Sequence, residues 1–207
     1  MLKPQDIVIL LKILSTMTLS NGRSLEELTQ NELARLLCMS PSEVNAGIKR
    51  LVGSGLLGPV QRSNRLIFVP IKAAVEECLV SSVKYFIPAL LGTYTRGIVT
   101  GYAAPIFEKH IVLGDDPVPV WPCGEGNQRG MALEPLYRSV PQSITKHPDP
   151  LFYEMLVLID AIRIGRARER SIAIKLLKER LNAEQQKNAG NVEFSAITAR
   201  STKTRES

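Results

Sequence analysis

The sequence predicts a mainly α protein with a small β-wing, and three observations carry that expectation. Apolar residues recur at helical spacing in residues 4–16 and again beyond residue 150. A short alternating stretch over 56–69 is rich in β-formers and is interrupted by a polar turn. Finally, 9 of the 13 prolines and 7 of the 14 glycines fall between Pro88 and Pro150, too many helix breakers for long helices there. The expected organisation is an N-terminal module over 1–70 and a linker helix over 71–87. An irregular Pro/Gly-rich region over 88–148, amphipathic helices over 149–182 and a disordered polar tail over 183–207 follow.

Length and composition bound the function. The chain has 207 residues, 44% apolar and 22% charged, which suits a globular protein with a sizeable core. Aromatics are only 5%, so aliphatic side chains must build that core. The net charge of +6 suits a polyanionic partner. The excess sits at the ends: +3 over 1–70, −1 over 71–150 and +4 over 151–207. Three widely spaced cysteines (Cys38, Cys78, Cys123) make no complete disulfide framework and fit a reducing cytosol. The opening MLKPQD has no apolar region of a signal peptide, and no apolar run approaches the ~20 residues of a membrane helix. A cytoplasmic protein without a membrane partner is expected.

The first helix spans 4–16, with Pro4 in its first turn and Ile7, Leu10, Leu11 and Leu14 on one stripe. A loop over Ser20–Ser24 follows. Thr29 with Glu32 forms a capping box for a two-turn helix whose apolar residues are Leu33, Leu36 and Leu37. Cys38-Met39 turns the chain. Ser40 caps a second helix, Pro41 takes its first position and Glu43 lies in its first turn. Val44, Ile48 and Leu51 face the core, while Ser42, Asn45, Ala46 and Lys49 occupy the opposite face. Gly53-Ser-Gly55 ends the helix. Leu56-Leu57 and Val60 start one strand, Gln61–Arg65 forms a basic turn, and Leu66–Val69 returns as a second strand.

Two capped helices joined by a tight turn form a helix-turn-helix pattern, and the hairpin behind them forms a wing. Over about residues 4–70 the chain resembles the winged helix-turn-helix regulators, and within them MarR-like modules. The resemblance rests on Gln30, Ala34, Leu37, Ser40, Val44, Ile48, Leu51, Gly55-Leu56-Leu57 and the Arg62/Arg65 wing. It departs at Cys38, where the family's turn usually has Gly in a left-handed conformation. It departs further after residue 70, where the proline-rich middle is unlike a helical dimerisation region. The resemblance implies that the second helix enters the major groove of DNA and that the wing grips the adjacent backbone.

The residue chemistry suits that use. Asn45 can meet a base edge bidentately, Ser42 can donate or accept, and Ala46 permits close approach or contact with a thymine methyl. Lys49, Arg62 and Arg65 suit phosphates, and the helix N-terminus at Ser40 presents backbone N–H groups. With Gln30 and Asn64 these residues make the expected DNA-binding set.

Residues 71–87 form a helical stripe of Val75, Leu79, Val83 and Phe86. In the middle, aromatics alternate with arginines (Tyr94-Thr-Arg96, Tyr137-Arg138), as in a stacking surface or an effector pocket. After Pro150, Leu151, Met155, Leu158, Ile159 and Ile162, then Ile172, Leu176, Leu177 and Leu181, return at helical spacing, with Gly165 as a break. Arg163, Arg166 and Arg170 read as one solvated stripe paired with Asp160 and Glu169. The C-terminal helices are the expected homodimer contact, which would suit a two-fold operator.

No enzyme and no cofactor are expected. Gly124-Glu-Gly126 with Gly130 lacks a phosphate-loop context, and His110, Cys123, Asp115 and Asp116 have no diagnostic metal spacing. The leading expectation is a dimeric, sequence-specific repressor binding double-stranded DNA, with a protein partner or small-molecule effector as the candidate ligand of the middle. The alternative is an antitoxin-like interaction module using residues 88–182. RNA binding ranks third, because the module resembles a reader of duplex grooves.

Overall fold

The computed structural model describes residues 1–19, 29–62 and 65–182. The expected loop Ser20–Ser24, residue Asn64 and the tail from 183 to 207 lie outside the described residues. The chain begins with helix α1 (Pro4–Leu19). Helices α2 (Gln30–Leu37) and α3 (Pro41–Gly53) follow, then strands β1 (Leu57–Arg62) and β2 (Arg65–Pro70) as an antiparallel hairpin. One helical rod comprises α4 (Lys72–Glu77), a π turn over Cys78–Ser82 and α5 (Val83–Phe86). Strands β3 (Leu91–Val99), β4 (Pro119–Pro122) and β5 (Gln128–Leu133) precede α6 (Val140–Lys146) and α7 (Pro150–Ile164), and a last helix, α8, covers 167–182.

The architecture is mixed α/β, with helix in the majority and more sheet than the expected small wing. The region 88–148, expected to be irregular, contains a three-stranded sheet and a helix. Strand β3 runs antiparallel to β4 on one flank and to β5 on the other, and β4 and β5 meet in parallel to close the set. Parallel neighbours ordinarily need a long crossover. Here residues 123–127 suffice, because Pro122 and Gln128 are both in register with Gly97 and the chain steps across β3 at that point. The crossing demands glycine. A Cβ on Gly126 would strike the backbone of Gly97, and a Cβ on Gly97 would strike the carbonyl of Trp121.

Two helices form the centre. The expected stripe of α1 is buried, but so is every other residue from Asp6 to Ser15. Its polar groups are therefore paired. Asp6 accepts from Arg50 Nε and Nη2 at 2.8 and 2.7 Å and from the Lys3 amide at 2.8 Å. Lys12 Nζ reaches Asp149 Oδ2 at 2.7 Å and lies 5.0 Å from the Phe152 ring centre. Ser15 Oγ donates to the same Asp149 oxygen at 3.0 Å. Asp149 also caps α7 by accepting from the Phe152 amide at 3.0 Å. One cluster of buried side chains runs through α1, α2, α3, α7 and α8.

Helix α7 is buried continuously from Met155 to Ile162. Its apolar residues from Met155 to Ile162 are covered within the chain, which leaves α8 as the part of the expected homodimer contact with half-buried apolar side chains, Ile172 and Leu176. The expected arginine stripe is also absent, because the helix stops at Gly165 and places its members in different settings. Arg163 is 3% exposed and donates from Nη1 to Asp160 at 2.6 Å and from Nε to the Ile87 carbonyl at 3.0 Å. Arg170, on α8, donates to the Ile162 and Gly165 carbonyls at 3.3 and 2.9 Å, closing the open end of α7.

Asp160 is fully buried rather than solvated. Besides Arg163 it accepts from Thr100 Oγ1 at 2.8 Å and from Trp121 Nε1 at 2.6 Å. One carboxylate thus joins α7, the end of β3, β4 and the turn after α5. Beside it the Trp121 and Tyr153 rings meet edge-on at 6.0 Å, and the Tyr153 hydroxyl donates to the Val99 carbonyl at 2.7 Å. Burial pushes the Tyr153 phenol up to about 12. Among the described residues no helix is long and apolar enough to cross a membrane.

Candidate nucleic-acid interface

Local sequence fixes the two helices nearest the expected interface. Thr29 Oγ1 accepts from the Glu32 amide at 3.2 Å and starts α2. Cys38 ends it at φ 51°, ψ 42°, the one non-glycine residue with positive φ among the described residues. The left-handed residue lets the Met39 amide bond back to the Ala34 carbonyl at 2.9 Å, buries Met39 and turns the chain. That conformation costs a β-carbon-bearing residue roughly 1–2 kcal/mol.

Ser40 then starts α3 with a complete capping box. Its Oγ accepts from the Glu43 amide at 3.2 Å, and its own amide donates to Glu43 Oε2 at 2.9 Å. The Ser40 hydroxyl also lies 2.7 Å from Glu43 Oε2 and 3.0 Å from Ser42 Oγ. Ser40 is thus engaged in holding the helix start, and Ser42 beside it is exposed.

Val44, Gly47, Ile48 and Leu51 bury one face of α3. The other face, with α2, lines an open depression of about 460 Å³ formed by Gln30, Pro41, Ser42, Asn45, Ala46 and Lys49. Five expected DNA-binding residues therefore share one surface. Asn45 Nδ2 donates to Gln30 Oε1 at 2.9 Å, so α2 orients the amide of α3, whose carbonyl oxygen and second amide hydrogen have no partner in that bond. Arg62 and Arg65 pair across the hairpin tip; their side chains, like all of Asn64, lie outside the described residues.

Sequence reasoning missed the brace behind this surface. The Tyr137 hydroxyl donates to Glu43 Oε1, and the Arg138 guanidinium sits 5.7 Å from the Tyr137 ring centre. Ser143 Oγ of α6 donates to the Leu36 carbonyl of α2 at 2.8 Å. Residues 137–143 thereby clamp both helices, and the exposed Arg138 adds a cation beside the α3 N-terminus. The Tyr137-Arg138 pairing was visible in the sequence, but nothing local pointed to Glu43.

The Tyr137 bond, with the Ser40 amide and hydroxyl, pulls the Glu43 carboxyl down to about 2. A depressed carboxyl adds stability above its unfolded value and loses it as pH falls through the folded one. The cap therefore persists into acid, below the ordinary glutamate range. With Tyr137→Phe the Glu43 carboxyl should titrate at higher pH, and acid should loosen α3 sooner. Carbon-13 NMR titration of Glu43 checks this; an unchanged midpoint would remove Tyr137 from the account.

Among the described residues no group of three His, Cys, Asp or Glu side chains is placed to hold a metal ion. In comparisons with protein-family models, curated proteins and solved structures, none matches this chain.

Proposed function

We propose that this chain is a sequence-specific regulator of the winged helix-turn-helix, MarR-like kind, binding duplex DNA as a dimeric repressor. In this reading α3 enters the major groove and the β1–β2 hairpin follows the neighbouring backbone. The observation that carries it is the shared open surface of Gln30, Ser42, Asn45, Ala46 and Lys49 on a helix whose opposite face is locked in the core. Such a helix can be read from outside without being disturbed. Gln30 presents the Asn45 amide for two bonds to adenine, Ser42 and Ala46 allow close approach, and Lys49 meets a phosphate. The net charge of +6 favours encounter with DNA.

Fluorescence anisotropy with the chain's own upstream DNA and a scrambled duplex, at two salt concentrations, tests this. A preference of at least about a hundredfold for the native duplex that survives salt is the expected result. Asn45→Ala should cut discrimination by roughly 1–3 kcal/mol. Lys49→Ala should weaken both duplexes alike and reduce the salt slope by about one. Equal loss on both duplexes for Asn45→Ala would end its assignment as a base reader. Weak, salt-abolished binding to both duplexes would end the regulator reading.

A further inference from the structure

We infer that the run from Tyr85 to Tyr94 is the contact through which two copies of this chain associate, strand β3 pairing with itself about a two-fold axis. Tyr85, Phe86, Leu90, Leu91 and Tyr94 are 74, 39, 87, 43 and 57% exposed. At roughly 200 Å² per large apolar side chain, these five leave about 600 Å² in water, against the ~800 Å² that each partner of a standard interface buries.

The strand supplies the direction. β5 pairs along one flank of β3 at Leu91 and, after a register shift, from Tyr94 to Gly97, whereas β4 joins the other flank only at Gly97–Val99. Opposite β5, the Leu91–Thr95 flank has no strand partner among the described residues. An open apolar edge is a template for another strand. An antiparallel pair of identical strands is what a two-fold axis generates, each free N–H donating to a carbonyl of the other copy and the axis repeating every bond. No charged side chain falls within Tyr85–Thr95, although Lys84 Nζ lies 4.6 Å from the Tyr85 ring centre at one end of the run.

The contact is argued from the fold; its use, to place two α3 helices on a two-fold operator, rests on the proposed function. Sedimentation velocity of the full chain should show a dimer at micromolar concentration. Leu90→Lys with Tyr94→Lys should raise its dissociation constant at least about a hundredfold while leaving the far-ultraviolet circular dichroism spectrum of the folded chain unchanged. Amide exchange over Leu91–Thr95 should slow as wild-type concentration rises. A wild-type chain that stays monomeric, or a dimer that survives the double variant, overturns the inference. The operator reading is judged separately. The monomeric variant should keep wild-type affinity for a DNA half-site, and a dimer lost on substitution in a chain that binds no DNA would uphold the contact and end the operator.

Discussion

Asp160→Ala is expected to destabilise the protein by about 3–5 kcal/mol. The carboxylate is inaccessible and accepts from three donors: Thr100, Trp121 and Arg163. Alanine leaves the Arg163 guanidinium, itself 3% exposed, without its counter-charge and strands two further donors. Arg163 also holds the Ile87 carbonyl, so swinging to water would break a second joint. Asp160→Asn should cost less, because the amide oxygen still accepts from Thr100 and Trp121. Urea unfolding followed by far-ultraviolet circular dichroism measures both. A cost below about 1 kcal/mol for alanine would mean that Arg163 finds water after all.

Asp149→Ala should be comparably severe, because one carboxylate serves three purposes. It neutralises Lys12, which is 5% exposed on the central helix, takes a bond from Ser15 and caps α7. Losing the counter-charge costs about 3–5 kcal/mol and losing the cap about 1 kcal/mol more. Burial alone would raise the Asp149 carboxyl. The bond from Lys12, the Phe152 amide, the Lys12 charge and Ser15 together outweigh it and hold the group below the ordinary aspartate range. A group so depressed stabilises the fold above its unfolded value, and that contribution disappears as pH falls through the folded one. Wild type should therefore lose stability on acidification, and Asp149→Asn should lose that part of the pH dependence. The same acid slope in both chains would place it on other carboxylates.

The helix-turn-helix stretch was legible because its signals are local. Thr29 with Glu32, and Ser40-Pro41 with Glu43, announce helix starts within four residues, and the structure starts α2 and α3 there. The left-handed turn at Cys38 was anticipated from the resemblance, whose turn usually has Gly at that position. The middle could not be read this way. Its glycines are dictated by backbone crossings with residues far along the chain rather than by turns. Asp160 failed for a related reason. With Arg163 three residues on, it has the spacing of an exposed helical pair, whereas its burial is decided by Thr100 and Trp121, 60 and 39 residues away. At the candidate interface, α3's outer face was visible in its alternation of polar and apolar residues. The Tyr137 brace, 94 residues from Glu43, was not.

Trp121 is the single tryptophan of the chain, and its indole is 1% exposed and bonded to Asp160. Intrinsic fluorescence excited at the indole band therefore watches one junction, where the closed sheet meets α7, and no other tryptophan dilutes it. Opening that junction admits water to the indole and moves emission to the red. Far-ultraviolet circular dichroism, by contrast, is dominated by the helices at both ends. If the two signals change together in urea, the sheet and the helices unfold as one cooperative unit. If emission moves first, the middle is a separate, weaker unit that can open while α1–α3 keep their fold.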